Sequence, residues 1–140
     1  MAKETPKESA AMRRAIVLAR RALGNTSPNP LVGAVVIRNG RILGEGYHHR
    51  AGHPHAEIEA IRDCRDRGHD PEGATLVVTL EPCSTTGRTP PCTRAILEAG
   101  FRRVVVGAVD PNPDHAGRGL ALLRKAGVEV VEGVCTEEAE

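Results

Sequence analysis

Residues 31–47 read LVGAVVIRNGRILGEGY. The apolar, β-branched run at 31–38 leads into Asn39-Gly40, a dipeptide suited to a two-residue hairpin turn because both of its central positions need positive φ. The stretch predicts strands over 31–38 and 41–47, paired antiparallel. Further along, the rhythm changes. Strand-like runs at 75–80, 102–109 and 128–131 alternate with helical stretches at 55–67, through 99, and at 120–126, which stop at Gly68, Gly100 and Gly127. Such alternation implies right-handed crossovers and parallel neighbours. Upstream, Thr5, Pro6 and Glu8 fit an N-cap, a first-turn proline and the acid of a capping box. Met12, Ile16, Ala19 and Leu23 then recur at helical spacing before Gly24. The expected order is αββαβαβαβ. It makes a three-layer α/β/α domain with one mixed five-stranded sheet and helices on both faces, and the expectation is one domain over residues 1–140.

Composition narrows the function classes. The net charge is +1, too weak to draw in a long polyanion by bulk electrostatics. One Tyr, one Phe and no Trp leave almost no rings on which to stack single-stranded bases. A small-molecule substrate is favoured, with no nucleic-acid partner. No run reaches the ~18–20 apolar residues of a membrane span, and residues 1–11 lack the apolar core of a secretory signal. A cytoplasmic location is expected, and there the four cysteines are not expected to pair as disulfides. Cys83 and Cys92 lie in a Pro-rich, Gly-containing loop, a setting that suggests metal binding or catalysis. Cys64 and Cys135 have no such setting and read as inert, partly buried thiols.

The chemistry concentrates in His55-Ala56-Glu57, Pro82-Cys83 and Pro91-Cys92. Each alone is unremarkable: His-x-Glu at a helix start is usually a solvated turn, and Pro-Cys is usually packing. Together they resemble the zinc-deaminase pattern H-x-E…P-C-x-x-C. One imidazole and two thiolates suit Zn²⁺, and three protein ligands leave a fourth position for water, the catalytic arrangement. Bound zinc brings the pKa of that water down to roughly 7. His55 and Cys92 are expected in first helical turns, where thiolates and other anions are stabilised. Residues two apart do not share a helix face, so His55 and Glu57 converge only on a metal lying off the helix end.

The loop departs from the plain pattern, with eight residues between Cys83 and Cys92. This longer loop, ending Gly87-Arg88-Thr89-Pro90-Pro91-Cys92, closely resembles the pyrimidine deaminase domain of bifunctional riboflavin biosynthesis enzymes. So do Ser27-Pro28-Asn29-Pro30 with Val32-Gly33-Ala34, Gly46-Tyr47-His48, Pro54-His55-Ala56-Glu57, Thr79-Leu80-Glu81-Pro82-Cys83 and Asp110-Pro111-Asn112-Pro113. The resemblance runs over residues 12–134. It implies a cytidine deaminase-like fold. It also implies hydrolytic deamination of 2,5-diamino-6-ribosylamino-4(3H)-pyrimidinone 5′-phosphate, in which water replaces the 2-amino group to give 5-amino-6-ribosylaminouracil 5′-phosphate and ammonia. By the same resemblance His55, Cys83 and Cys92 hold zinc and Glu57 moves the protons. The Ala56 or Cys83 backbone N–H bonds the new oxygen. Asn29, His48, Arg88, Asp110 and Asn112 contact the ribose phosphate. Arg88 suits a phosphate because its fork binds two oxygens; without the resemblance, Arg88 reads as a solvated loop charge, and Asp110 and Asn112 as turn residues.

Two departures bear on these expectations. Many relatives carry His after Cys-Ser, where this chain has Thr85. Bifunctional relatives also continue into an NADPH-dependent reductase domain, so that step is expected from a separate protein or a missing domain. A homo-oligomer is expected, as in relatives of this fold. The competing readings are a deaminase of another small nucleobase, nucleoside or nucleotide, and a structural zinc module. The latter needs a fourth ligand, such as His48, His49 or His53, and leaves Glu57 without a role.

Overall fold

The computed structural model of the protein describes residues 5–20, 32–47, 56–80, 91–108 and 118–133. Within them the chain runs α1 (Pro6–Arg20), β1 (Gly33–Arg38), β2 (Arg41–Tyr47), α2 (Ala56–Asp66), β3 (Thr75–Leu80), α3 (Pro91–Ala99), β4 (Arg103–Ala108), α4 (Arg118–Lys125) and β5 (Glu129–Val131). This is the order expected from the sequence, with ends shifted by a residue or two where helices and strands fray. Leu23 and Gly24, expected to close the first helix, lie outside the described residues.

Local chemistry explains the ends. At α1, Glu8 N donates to Thr5 Oγ1 at 3.1 Å and Thr5 N donates to Glu8 Oε1 at 2.8 Å, a reciprocal capping box. At the β1–β2 turn, Asn39 and Gly40 have φ of 53° and 79°, and Arg38 faces Arg41. That is the primed turn geometry the dipeptide allows. The ladder shifts register between Val36 and Ile37, which face Gly44 and Ile42.

The five strands lie in the order β2-β1-β3-β4-β5. The hairpin is antiparallel, and β3, β4 and β5 are parallel, as alternation predicts. In addition β1 pairs antiparallel with β3, from Ala34↔Val78 to Ile37↔Thr75. Side chains alternate between two faces. Val36, Leu76, Val78, Val104 and Val106 pack under Ala60, Ile61, Ile96, Leu120 and Leu123 of α2, α3 and α4. Val35, Ile37, Val77, Val105 and Val131 pack under Met12, Ala15 and Ile16 of α1. The described residues are therefore three-layered, with one helix on one face of the sheet and three on the other.

Two glycines set how closely α2 lies on β2. A Cβ at Gly46 would stand 2.5 Å from Ala60 N and 2.7 Å from Ala56 O, and one at Gly44 would stand 2.6 Å from Ala60 O. The buried stripe of α2 is Ala56, Glu57, Ala60, Ile61 and Cys64. Ile58 lies three positions before Ile61, within reach of the same side, yet is only partly buried, because small alanines face the close-lying strand. Cys64 is fully buried, with Sγ 3.7 Å from the His69 carbonyl oxygen, and desolvation pushes its thiol pKa up. It is thus more deeply buried than expected and equally inert; Cys135 lies outside the described residues. Along β2, Glu45 N donates to Asp63 Oδ2 at 2.8 Å and the Glu45 carboxylate pairs with Arg14 at 2.5 Å, so charged side chains cover the edge strand. Among the described residues, no helix is long and apolar enough to cross a membrane.

Candidate active site

Register places the ends of several elements at one edge of the sheet. Tyr47, the last residue of β2, faces Gly33, the first of β1. Ala34 faces Val78, and Leu80, the last residue of β3, faces Ala108, the last of β4. Helix α2 starts over this edge, since Ala56 lies against Gly46 near the end of β2 while Cys64 lies against Gly44 further back. Helix α3 starts there too: its C-terminal turn is tied to the opposite edge, where Gly73 N donates to Gly100 O at 2.8 Å and Arg102 N donates to Ala74 O at 3.0 Å. The edge thus combines the C-terminal ends of parallel strands with two helix N-termini, the usual binding edge of open α/β sheets and one that favours anionic groups.

Glu57 is the second residue of α2 and is 3% exposed. Burial opposes a charged carboxylate, whereas its place in the first turn of a helix favours one. The preceding Ala56 is fully buried against β2. Cys92 is the second residue of α3, as expected of a ligand at a helix start. The next residue, Thr93, is fully buried, a polar position that the sequence reading passed over. A second residue passed over is Thr79 of β3, 2% exposed, whose Oγ1 accepts a hydrogen bond from Gly33 N at 3.1 Å. Its one signal in the sequence is a hydroxyl near the end of an otherwise apolar run.

His55, Cys83, Asn29, His48, Arg88, Asp110 and Asn112 lie outside the described residues. Their positions in the chain are nevertheless informative. Asn29 precedes β1; His48 follows β2 directly; His55 immediately precedes α2; Cys83 and Arg88 lie between β3 and α3; Asp110 and Asn112 follow β4. Every one of these segments joins the described structure at the edge that carries Glu57 and Cys92. Among the described residues, no three His, Cys, Asp or Glu side chains form a group that could hold a metal ion. The expected donors, one imidazole and two thiolates, form a set that zinc accepts, and the two helix starts beside them favour thiolate over thiol.

Comparison with known proteins gives a consistent picture. Residues 5–108 match the family model described as the cytidine and deoxycytidylate deaminase zinc-binding region. The chain is 56% identical over 128 residues to riboflavin biosynthesis protein RibD of Synechocystis, which covers 91% of this chain and 34% of that protein. It is 54% identical over 129 residues to RibD of Escherichia coli, again covering 34% of the relative. The chain therefore spans about a third of the length of these relatives. A diaminohydroxyphosphoribosylaminopyrimidine deaminase/5-amino-6-(5-phosphoribosylamino)uracil reductase from Thermotoga maritima superposes with a TM-score of 0.87 at 52% identity, over 95% of this chain and 38% of that one. RibD of Acinetobacter baumannii superposes with a TM-score of 0.88 at 46% identity, over 97% of this chain and 37% of that one. A cyanophage dCMP deaminase shares the fold over 92% of this chain and 99% of its own, with a TM-score of 0.71 at 26% identity. With its model matched over most of its length and its fold shared with solved relatives, the chain belongs to the cytidine and deoxycytidylate deaminase zinc-binding family.

Proposed function

We propose that residues 1–140 form a single deaminase domain that hydrolytically removes the 2-amino group of 2,5-diamino-6-ribosylamino-4(3H)-pyrimidinone 5′-phosphate, a step of riboflavin biosynthesis. The observation that carries the reading is the convergence of a buried Glu57 in the first turn of α2 and Cys92 in the first turn of α3 on one sheet edge. The activity for which the Thermotoga relative is named suggests the substrate class. Of its two activities, only the deaminase step is assigned to these residues; the reductase step belongs to another domain or another protein.

His55, Cys83 and Cys92 would hold the metal. When bound, zinc lowers the pKa of water to roughly 7 and so supplies a nucleophile at neutral pH. Everything else falls to the chain. Glu57 takes one proton of the attacking water and delivers it to the ring nitrogen; it then takes the proton of the newly added hydroxyl and passes it to the amine, which leaves as ammonia while the oxygen becomes the carbonyl. Its burial keeps bulk water from competing for that proton. The backbone N–H of Ala56 or Cys83 donates to the oxygen that replaces the amine. Arg88 grips the phosphate, while Asn29, His48, Asp110 and Asn112 contact the ribose phosphate. The absence of a strong net charge and of stacking aromatics agrees with a small ribotide substrate. We place the protein in the cytoplasm and expect self-association into a homo-oligomer.

Ammonia release from the diaminopyrimidinone ribotide, measured beside cytidine, adenosine and guanine, tests the reading. Turnover of the ribotide well above the other three supports it. Faster turnover of an unphosphorylated compound transfers the activity to another nucleobase or nucleoside. Zinc binding with no turnover of any of them leaves a structural zinc module.

A further inference from the structure

The β1–β3 ladder ends, on the site edge, at Ala34↔Val78. One residue nearer that edge, Gly33 N–H turns from backbone to side chain and donates to Thr79 Oγ1 at 3.1 Å. Thr79 is 2% exposed, so water does not compete for the bond. Beyond this point β3 keeps its other neighbour, with Leu80 still facing Ala108 of β4. The two antiparallel strands therefore part at Thr79 while the parallel pair continues. Gly33 has no room to drift. A Cβ there would overlap the carbonyl oxygen of Ala15 and stand 3.0 Å from Ala19 N, so the α1 backbone presses on it from one face. The hydroxyl thus spans a fork with one prong braced against a helix.

What the prongs lead to gives the fork its meaning. Gly33 lies four positions after Asn29, and Thr79 lies four positions before Cys83. The geometry points to Thr79 as a positioning residue: its hydroxyl sets the separation of β1 and β3 where the chain arrives from the proposed substrate contact Asn29 and departs toward the proposed metal ligand Cys83. This rests on the deaminase reading above. None of the expected zinc ligands His55, Cys83 and Cys92 lies on β1, so the bond is assigned to how substrate is presented to the metal, not to whether the metal is held. A threonine suits the role because its hydroxyl reaches a neighbouring backbone N–H while its methyl remains in the apolar layer. Valine has the same shape but leaves the Gly33 N–H buried and unsatisfied.

Thr79→Val and Thr79→Ser separate this role from plain stabilisation. Three quantities are measured on the full chain: zinc per chain, kcat and KM for the ribotide, and the amide exchange rate of Gly33. A lost neutral hydrogen bond corresponds to roughly a five- to tenfold change in an equilibrium constant. Thr79→Val is expected to keep its zinc, to raise KM by roughly five- to tenfold with kcat changed about twofold or less, and to speed Gly33 exchange by a similar factor. Thr79→Ser, which keeps the hydroxyl, is expected to restore KM and exchange together. The proposal is overturned if Thr79→Val has wild-type KM, if it loses zinc, or if Thr79→Ser raises KM as much as valine does. If the valine variant does not fold, a Thr79→Ser KM raised roughly five- to tenfold over the wild type overturns the proposal by itself. A wild-type protein inactive on the ribotide overturns the deaminase reading instead, and Gly33 exchange across the three proteins then shows separately whether the hydroxyl holds the fork.

Discussion

Glu57 and Arg88 are the residues proposed here for the two ends of the substrate. Glu57 is a buried acid in an otherwise apolar stripe of α2. Its place in the first turn of α2 puts it at the edge where the deaminase reading needs a proton carrier. Glu57→Gln keeps the shape and loses the proton shuttle, so zinc content and fold should persist while kcat falls at least about 10²–10⁴-fold, the contribution of general acid–base catalysis. Zinc analysis, circular dichroism and ammonia release on one preparation check this; near-normal kcat would remove Glu57 from the mechanism. Arg88 is assigned by resemblance to the phosphate, and a charge-assisted hydrogen bond contributes about 1.5–3 kcal/mol. Arg88→Ala should therefore lower kcat/KM for the ribotide by roughly ten- to more than a hundredfold. The loss should be far smaller for the dephosphorylated riboside, which never makes the contact. Equal losses on the two substrates would show that Arg88 organises its loop and does not touch phosphate.

At the scale of elements, the position of α2 depends on what β2 lacks. Gly44 and Gly46 let the helix backbone come down onto the strand, and the close alanines Ala56 and Ala60 complete the contact. Gly46→Ala forces a methyl against helix backbone that has no rotamer to yield. The cost should be about 1–3 kcal/mol, the range for overpacking, and kcat should fall as well because the first turn of α2 carries Glu57. Gly68→Ala is the control. It is strained by its φ of 85° yet meets nothing within 4 Å, so it should lower stability and leave kcat alone. Thermal melts and kcat for both variants check the pair. The same elements show why some features were legible in the sequence and others were not. The Asn39-Gly40 turn and the Thr5–Glu8 capping box are chemistry between neighbours, and a sequence displays neighbours. The antiparallel pairing of β1 with β3, the displacement of Ile58 from the buried stripe and the Thr79–Gly33 bond all join distant segments. Nothing local announces them. The candidate site was legible for a second reason: His-x-Glu with two Pro-Cys pairs forms a pattern that metal chemistry restricts more than packing does. That pattern named Glu57 but carried no sign of its burial.

Across the whole molecule, the two faces of the sheet divide the work. Helices α2 and α3 on one face start at the site edge, while α1 closes the other face and is held from the opposite edge. There, Arg103 at the start of β4 donates to Glu8 of α1 from Nε at 2.7 Å and from Nη2 at 2.8 Å, and also pairs with Glu129 of β5. Glu8 is thus both the capping acid of α1 and its anchor to a strand 95 positions away. Glu8→Gln separates these roles: glutamine still serves a capping box but brings no charge to Arg103. Arg103 keeps Glu129, so it is not stranded, and the expected cost is that of a charge-assisted hydrogen bond, about 1.5–3 kcal/mol. For a chain of this size that lowers Tm by roughly 5–10 °C. The site lies at the other end of the strands, so zinc content, kcat and KM at a temperature where the variant is fully folded should match the wild type. Adding Arg103→Met to Glu8→Gln should cost less than the sum of the two single changes, because partners in contact are coupled. An unchanged Tm in Glu8→Gln would mean that apolar packing alone holds α1 down. A kcat/KM that falls in step with stability would mean that the two edges of the sheet are mechanically linked, and that the clamp on α1 reaches the site through Gly33, the point where α1 meets the strand leading to it.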